Sequence, residues 1–123
     1  MNILIVEDNQ VRSDFFRKAF LEHTCIFVST SAEAIAQLRE KEFDFLFLDL
    51  DLEDGFERGL MVAEHIGSHR QIEAQVVIHS MNISTAATAV KILPDAIRVP
   101  FAQLHKMFHL NAGADFIERV LEC

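Results

Sequence analysis

Positive charge is short in this sequence: 11 Lys and Arg stand against 19 Asp and Glu, for a net charge of −8. Phosphate contacts need clustered Lys and Arg, and no such block occurs, so nucleic acid is set aside as a partner in favour of protein or a cation. Cysteine is scarce too. Cys25 and Cys123 allow a single pair, which excludes a disulfide framework and reads as a reducing, cytoplasmic setting. No apolar run approaches the ~20 residues of a membrane helix, so no membrane is expected. The opening "MNILIVEDN" has neither the basic flank nor the small-residue cleavage site of a signal peptide. There are no repeats, linkers or low-complexity segments. What remains is an ordinary globular composition, 50% hydrophobic and 24% charged over 123 residues. That length is one domain, 1–123, which buries about two thirds of its unfolded surface without staples.

Short apolar runs rich in Ile, Val, Leu and Phe alternate with segments of helical period, the pattern of βαβ units and a parallel sheet. Strands are expected over residues 1–6, from 25 ("CIFVST"), over 43–49, from 75 ("QVVIHS") and from 96 ("AIRVP"). Helices are expected over 10–22, from 31 to "REKEF", over 59–66, over 84–93, and from 101 onward with a break near 111–113. Asn9 or Asp8 caps the first helix, and Pro100 stops the last strand. Five strands and five helices in so short a chain predict an α/β, doubly wound, flavodoxin-like sandwich.

In such sheets a site forms beyond the carboxyl ends of the strands, where the winding reverses. Polar residues collect there: Glu7 and Asp8 after the first strand, Asp49 after the third, Ser80 after the fourth. With strand order 2-1-3-4-5, the first and third strands flank the reversal and Glu7, Asp8 and Asp49 converge. Three neighbouring carboxylates repel and raise one another's pKa, so they imply a compensating cation. Oxygen-only ligands suit Mg²⁺.

"ILIVEDN" with Arg12 following, "FDFLFLDL", "VVIHS" and "VPF", in that order, resemble the receiver domain of two-component response regulators over nearly the whole chain. The resemblance implies that Asp49 accepts a phosphoryl group from a histidine kinase or phosphotransfer protein. It also implies that Glu7, Asp8 and Asp49, with the Asp51 backbone carbonyl, hold Mg²⁺, and that the Ser80 hydroxyl binds a phosphoryl oxygen. A carboxylate is a competent nucleophile on phosphorus, which agrees with these roles.

The chain departs from that pattern in three places. Receivers carry a lysine ahead of "PF", where this chain has Val99, with Arg98 on the other face of a regular strand. The aromatic three residues earlier is Ala96. The loop after Asp49, "LDLEDGFERG", lacks the usual Met-Pro and has about two extra residues before Gly59. Two stretches, Asp49-Leu50-Asp51-Leu52 and His79-Ser80-Met81-Asn82, resemble a divergent receiver variant described as cyclic-phosphate-processing. Under it His79 is a general acid or phosphate ligand, against a strand histidine facing a helix. Asn82 tunes attack of water, caps the fourth helix, or does both.

The leading expectation is therefore a stand-alone receiver with no output domain, acting on a downstream protein. A pseudo-receiver without a working switch, or a processor of (cyclic) phosphate esters, is the alternative. "DLDL" also resembles the start of haloacid-dehalogenase phosphatases, whose downstream lysine is missing here. His105 and His109, four apart, are expected on a solvated helix face. The eleven Phe are expected in the core, with Phe101, Phe108 and Phe116 as candidates for an interface such as a homodimer would use.

Overall fold

The computed structural model describes residues 1–55, 57–110 and 116–123. The strands are β1 (Asn2–Val6), β2 (Thr24–Val28), β3 (Phe45–Leu48), β4 (Gln75–Ile78) and β5 (Ile97–Arg98). The helices are α1 (Gln10–Ala19), α2 (Ser31–Glu40), α3 (Gly59–Ser68), α4 (Ile83–Ile92), α5 (Phe101–Leu110) and α6 (Phe116–Leu121). The strands form one all-parallel sheet in the order β2-β1-β3-β4-β5. The doubly wound α/β reading and its strand order are thus what the chain adopts. The tail differs, because a sixth helix follows α5. The expected break near 111–113 lies outside the described residues.

Period-2 alternation along each strand sorts the core into two layers. Leu4, Val6, Leu46, Leu48, Val76 and Ile78 face one layer, closed by Ala34 and Leu38 of α2, Val62 and Ile66 of α3 and Ala86 and Ala89 of α4. Ile3, Ile5, Phe45, Phe47, Val77 and Val99 face the other, with Phe15 and Phe16 of α1, Leu104 of α5 and Phe116 of α6. Fully burying one such side chain contributes about 1.5–3 kcal/mol. Phe116, read from the sequence as a candidate interface residue, is 2% exposed and belongs to this core. Phe101 and Phe108 are half-buried and meet Phe15 edge-on, at 5.2 and 5.5 Å between ring centroids.

Helix starts follow local chemistry. The Asn9 side chain accepts the Arg12 N–H at 3.1 Å and caps α1. Thr30 caps α2 through the Glu33 N–H. α4 begins one residue earlier than its pattern suggests, because Asn82 accepts the Thr85 N–H.

Candidate functional site

The site follows from the sheet register. Val6, Leu48, Ile78 and Arg98 are mutual partners across β1, β3, β4 and β5. The ladder runs one residue further, because the N–H groups of Asp49, His79 and Val99 donate to the carbonyls of Val6, Leu48 and Ile78 at 2.9, 3.1 and 2.9 Å. Glu7, Asp49, His79 and Val99 therefore form the next row of the sheet. By alternation that row faces the layer of α1 and α5, directly beyond Ile5, Phe47 and Val77. The row after it holds Asp8, Leu50 and Ser80; Leu50 turns into the α2–α4 layer, while the Asp8 carboxyl stays beside that of Glu7.

Alternation decides which expected residues meet. Glu7, Asp49 and His79 are 3%, 4% and 0% exposed, and their ligand atoms all lie within 4.8 Å of one another. His79 Nε2 is 2.9 Å from Glu7 Oε1, and its ring lies edge-on to Phe16 at 5.1 Å. Its Nδ1 is buried without a hydrogen-bond partner among the described residues. His79 thus faces a helix and joins the carboxylates at the same time. Asp8 lies outside this trio, on the exposed side of Glu7.

Burial pushes the Asp49 carboxyl up to about 6; His79 opposes this, while the charge of Glu7 and a hydrogen bond to it add to it. Burial also acts to raise Glu7, but its bonds to His79, to the Asn9 N–H and to Asp49 outweigh that and hold it below the usual carboxylate range. Burial and the Glu7 charge raise Asp8. Two buried carboxyl groups thus share one imidazole, and Asp49 is the one left short of positive charge. Carboxylate oxygens of Glu7 and Asp49, with Asp8 at the outer edge, fit a hard divalent cation such as Mg²⁺. The His79 nitrogen nearest the trio is already engaged by Glu7.

The remaining acidic residues after β3 have other partners. Asp51 accepts the Glu57 N–H at 3.0 Å, in a loop where Glu57 has φ 61°. Glu53 accepts the Ser29 hydroxyl at 2.8 Å. Asp54 takes the N–H and hydroxyl of Ser31, so an anion sits at the positive end of α2. Only Asp49 of the series enters the trio.

Ser80 is 1% exposed, and its Oγ accepts the Asn82 N–H at 3.2 Å. The Asn82 side-chain oxygen takes the Thr85 N–H and the Ser84 hydroxyl, so capping accounts for that oxygen. Val99 is fully buried in the apolar layer. Arg98 lies on the other face, as alternation requires, and donates to the Ser80 carbonyl at 3.4 Å. His105 and His109 are exposed on α5, their Nε2 atoms 3.1 Å apart. A surface hollow at the opposite end of the sheet, beside Asn2, Asp44, His65 and His69, contains none of the candidate residues.

Arg12 is the residue whose part the sequence did not assign. From the first turn of α1 its Nη1 reaches to 3.8 Å from Glu7 Oε1 and 3.9 Å from Asp49 Oδ2, and its guanidinium lies over the Phe101 ring at 5.2 Å. The available signal was position: α1 starts two residues after Asp8, so its first inward turn overhangs the strand ends.

Among the described residues, no helix is long and apolar enough to cross a membrane. None of the curated proteins compared with the chain matches it. Its fold is that of solved receiver domains. The non-phosphorylated HemR receiver domain from Leptospira biflexa superposes with a TM-score of 0.75 at 22% identity, over 99% of this chain and 94% of that one. The N-terminal domain of a response regulator/sensory box/GGDEF protein from Carboxydothermus hydrogenoformans gives 0.71 at 19% identity, over 99% and 94%. The phosphorylated cyanobacterial phytochrome response regulator RcpA gives 0.69 at 21% identity, over 92% and 96%. A family model described as the cyclic-phosphate processing receiver domain matches residues 2–95, a span that includes Glu7, Asp49, His79 and Ser80; the chain belongs to that family of receiver domains.

Proposed function

We propose that this receiver works by phosphoryl chemistry on Asp49, taking a phosphoryl group from a histidine kinase or phosphotransfer protein and signalling through protein contacts. The observation that carries this reading is the meeting of Glu7 and Asp49, from two different strand ends, in one buried trio. With a pKa of about 6, Asp49 is mostly ionised at neutral pH and available as a nucleophile. Its Oδ1 accepts the Leu50 N–H at 2.9 Å, which fixes the carboxylate. Attack by Asp49 on a phosphohistidine forms an O–P bond as the N–P bond breaks, and the imidazole nitrogen leaves with the electron pair. Mg²⁺ held by Glu7, Asp8 and Asp49, with the Asp51 carbonyl, supplies charge neutralisation at the phosphoryl oxygens when bound. Among the described residues the buried Ser80 hydroxyl accepts the Asn82 N–H and donates to none, which leaves its proton for a phosphoryl oxygen.

His79 favours a second reading, processing of a cyclic phosphate ester. A carboxylate–imidazole pair, Glu7 with His79 at 2.9 Å, beside a nucleophilic carboxylate is acid–base machinery that simple phosphoryl acceptance does not call for. Intact mass after incubation with acetyl phosphate and Mg²⁺, wild type beside Asp49→Asn, tests the first reading. An 80 Da adduct (about the mass of one phosphoryl group) confined to the wild type is the expected result. A ring-opened product from a 2′,3′-cyclic nucleotide, without a stable adduct, selects the second.

A further inference from the structure

We infer that Arg12 forms the oxyanion subsite above Asp49, the cation that receives the oxygens of a phosphate group there; the inference rests on Asp49 as the phosphate-handling carboxylate. A phosphoryl group brings about two negative charges to a site already rich in carboxylate, and a bidentate donor is the strongest way to meet them. The sheet offers no free cation in the row that carries Asp49. His79 is fully buried with Nε2 turned to Glu7, and Val99 is apolar. Arg98 lies on the opposite face and donates to the Ser80 carbonyl.

Arg12 has the position and the uncommitted donors. Its Nη1 stands 3.8 and 3.9 Å from Glu7 Oε1 and Asp49 Oδ2. Those separations exceed a charge-assisted hydrogen bond of about 2.7–2.9 Å by roughly one ångström, so the guanidinium is paired in charge with the two carboxylates without being hydrogen-bonded to either. Among the described residues, no hydrogen bond engages the guanidinium. Its stacking on Phe101 and the Asn9 cap on its own N–H fix its direction, so little freedom is lost on binding. With 30% of its side chain exposed, it meets solvent on one edge and the carboxylates on the other. An anion therefore reaches Arg12 before it reaches Asp49.

The test is amide chemical-shift titration with inorganic phosphate in the presence of Mg²⁺, on wild type, Arg12→Lys and Arg12→Ala, with acetyl phosphate mass shifts measured on the same samples. Wild type should bind phosphate with shifts at Asp49, Ser80 and Arg12. Arg12→Ala should weaken binding at least tenfold, and Arg12→Lys, which keeps the charge but loses the fork, should fall between. Unchanged melting temperatures are expected for both variants; should Arg12→Ala unfold, Arg12→Gln replaces it. Equal phosphate affinity in wild type and Arg12→Ala, or no binding by wild type, overturns the inference. Arg12-dependent phosphate binding without any acetyl phosphate adduct supports the subsite and removes phosphoryl acceptance by Asp49 instead.

Discussion

His79 Nε2 lies 2.9 Å from Glu7 Oε1 across the strand end that carries Asp49, so one imidazole from β4 and one carboxylate from β1 close over the residue between them. Because neither partner meets solvent, the bond cannot be replaced by water. Removing one partner leaves a buried group uncompensated. His79→Leu should therefore cost about 3–5 kcal/mol, and the double variant His79→Leu/Glu7→Leu should recover a large part of that loss. Denaturant midpoints of the four proteins in the cycle measure it. A single-variant loss under about 1 kcal/mol would mean that the pair does not hold the strand ends together.

Without a bound cation, Asp49 works against the fold as pH rises. Its carboxyl is raised from 3.8 to about 6 in the fold, so the folded protein favours the protonated form more than the unfolded chain does. That contribution is fully present below about pH 4, is lost as pH rises through about 6, and is absent above it. Glu7, held low, works in the opposite sense: its contribution is present above the ordinary carboxylate pKa and is lost on acidification. Asp49→Asn should remove the falling limb. In metal-free buffer it should stabilise the protein at pH 7.5, on the order of 1–3 kcal/mol, and much less at pH 4.5. Urea midpoints at the two pH values decide this, and a destabilised variant at pH 7.5 would contradict it.

The two-layer fold and strand order were legible because each strand is a short apolar run with period-2 alternation. The site was half legible. Glu7, Asp8, Asp49, His79 and Ser80 all read as strand-end residues. Which of two consecutive polar residues faces which layer depends on register, and no spacing in the chain states register. Glu7 and His79 turn inward with Asp49, whereas Asp8 and Ser80 fall in the next row. The acidic loop was opaque for a related reason: the partners of Glu53 and Asp54, Ser29 and Ser31, are more than twenty residues away. Arg12 could be placed on α1, but its approach to Asp49 depends on how α1 packs over the sheet.

Gly59 is fixed by the close approach of α3 to the end of β3. A Cβ there would lie 2.4 Å from both the Asp49 carbonyl oxygen and Leu50 Cα, which are backbone atoms that cannot swing aside. Gly59→Ala should cost about 3 kcal/mol or prevent folding. Gly67, in the same helix, meets nothing closer than 3.5 Å, so Gly67→Ala should stabilise by about 0.5–1 kcal/mol through helix propensity. Thermal melts of the two variants should move in opposite directions.

Mg²⁺ should stabilise the native chain, because a ligand bound only by the folded state adds RT ln(1 + [L]/Kd), about 2.7 kcal/mol at a hundredfold excess over Kd. Asp8 stands at the outer edge of the carboxylate group, so Asp8→Ala should abolish the rise in melting temperature while leaving the apo protein nearly unchanged. A full Mg²⁺ response in Asp8→Ala would locate the ion elsewhere.

Val99 is the fourth member of the row formed by Glu7, Asp49 and His79, and it is fully buried. A lysine there would have its stem in the apolar layer of Ile97, Val77 and Leu104 and its ammonium within reach of the trio. Desolvation penalises that ammonium unless a carboxylate pairs with it, and Asp49 is the carboxyl left short of positive charge. Val99→Lys should therefore destabilise the protein more than the volume-tolerant Val99→Met, and should draw the Asp49 pKa down from about 6. The decisive comparison is the sign of Asp49→Asn in the two backgrounds. In wild type at pH 7.5 it should stabilise. In Val99→Lys it should destabilise, because the ammonium then loses its partner, and the coupling from the cycle should reach about 1–3 kcal/mol. If Asp49→Asn stabilises both backgrounds equally, the lysine ammonium does not reach Asp49 and the row geometry does not carry charge from β5 to β3.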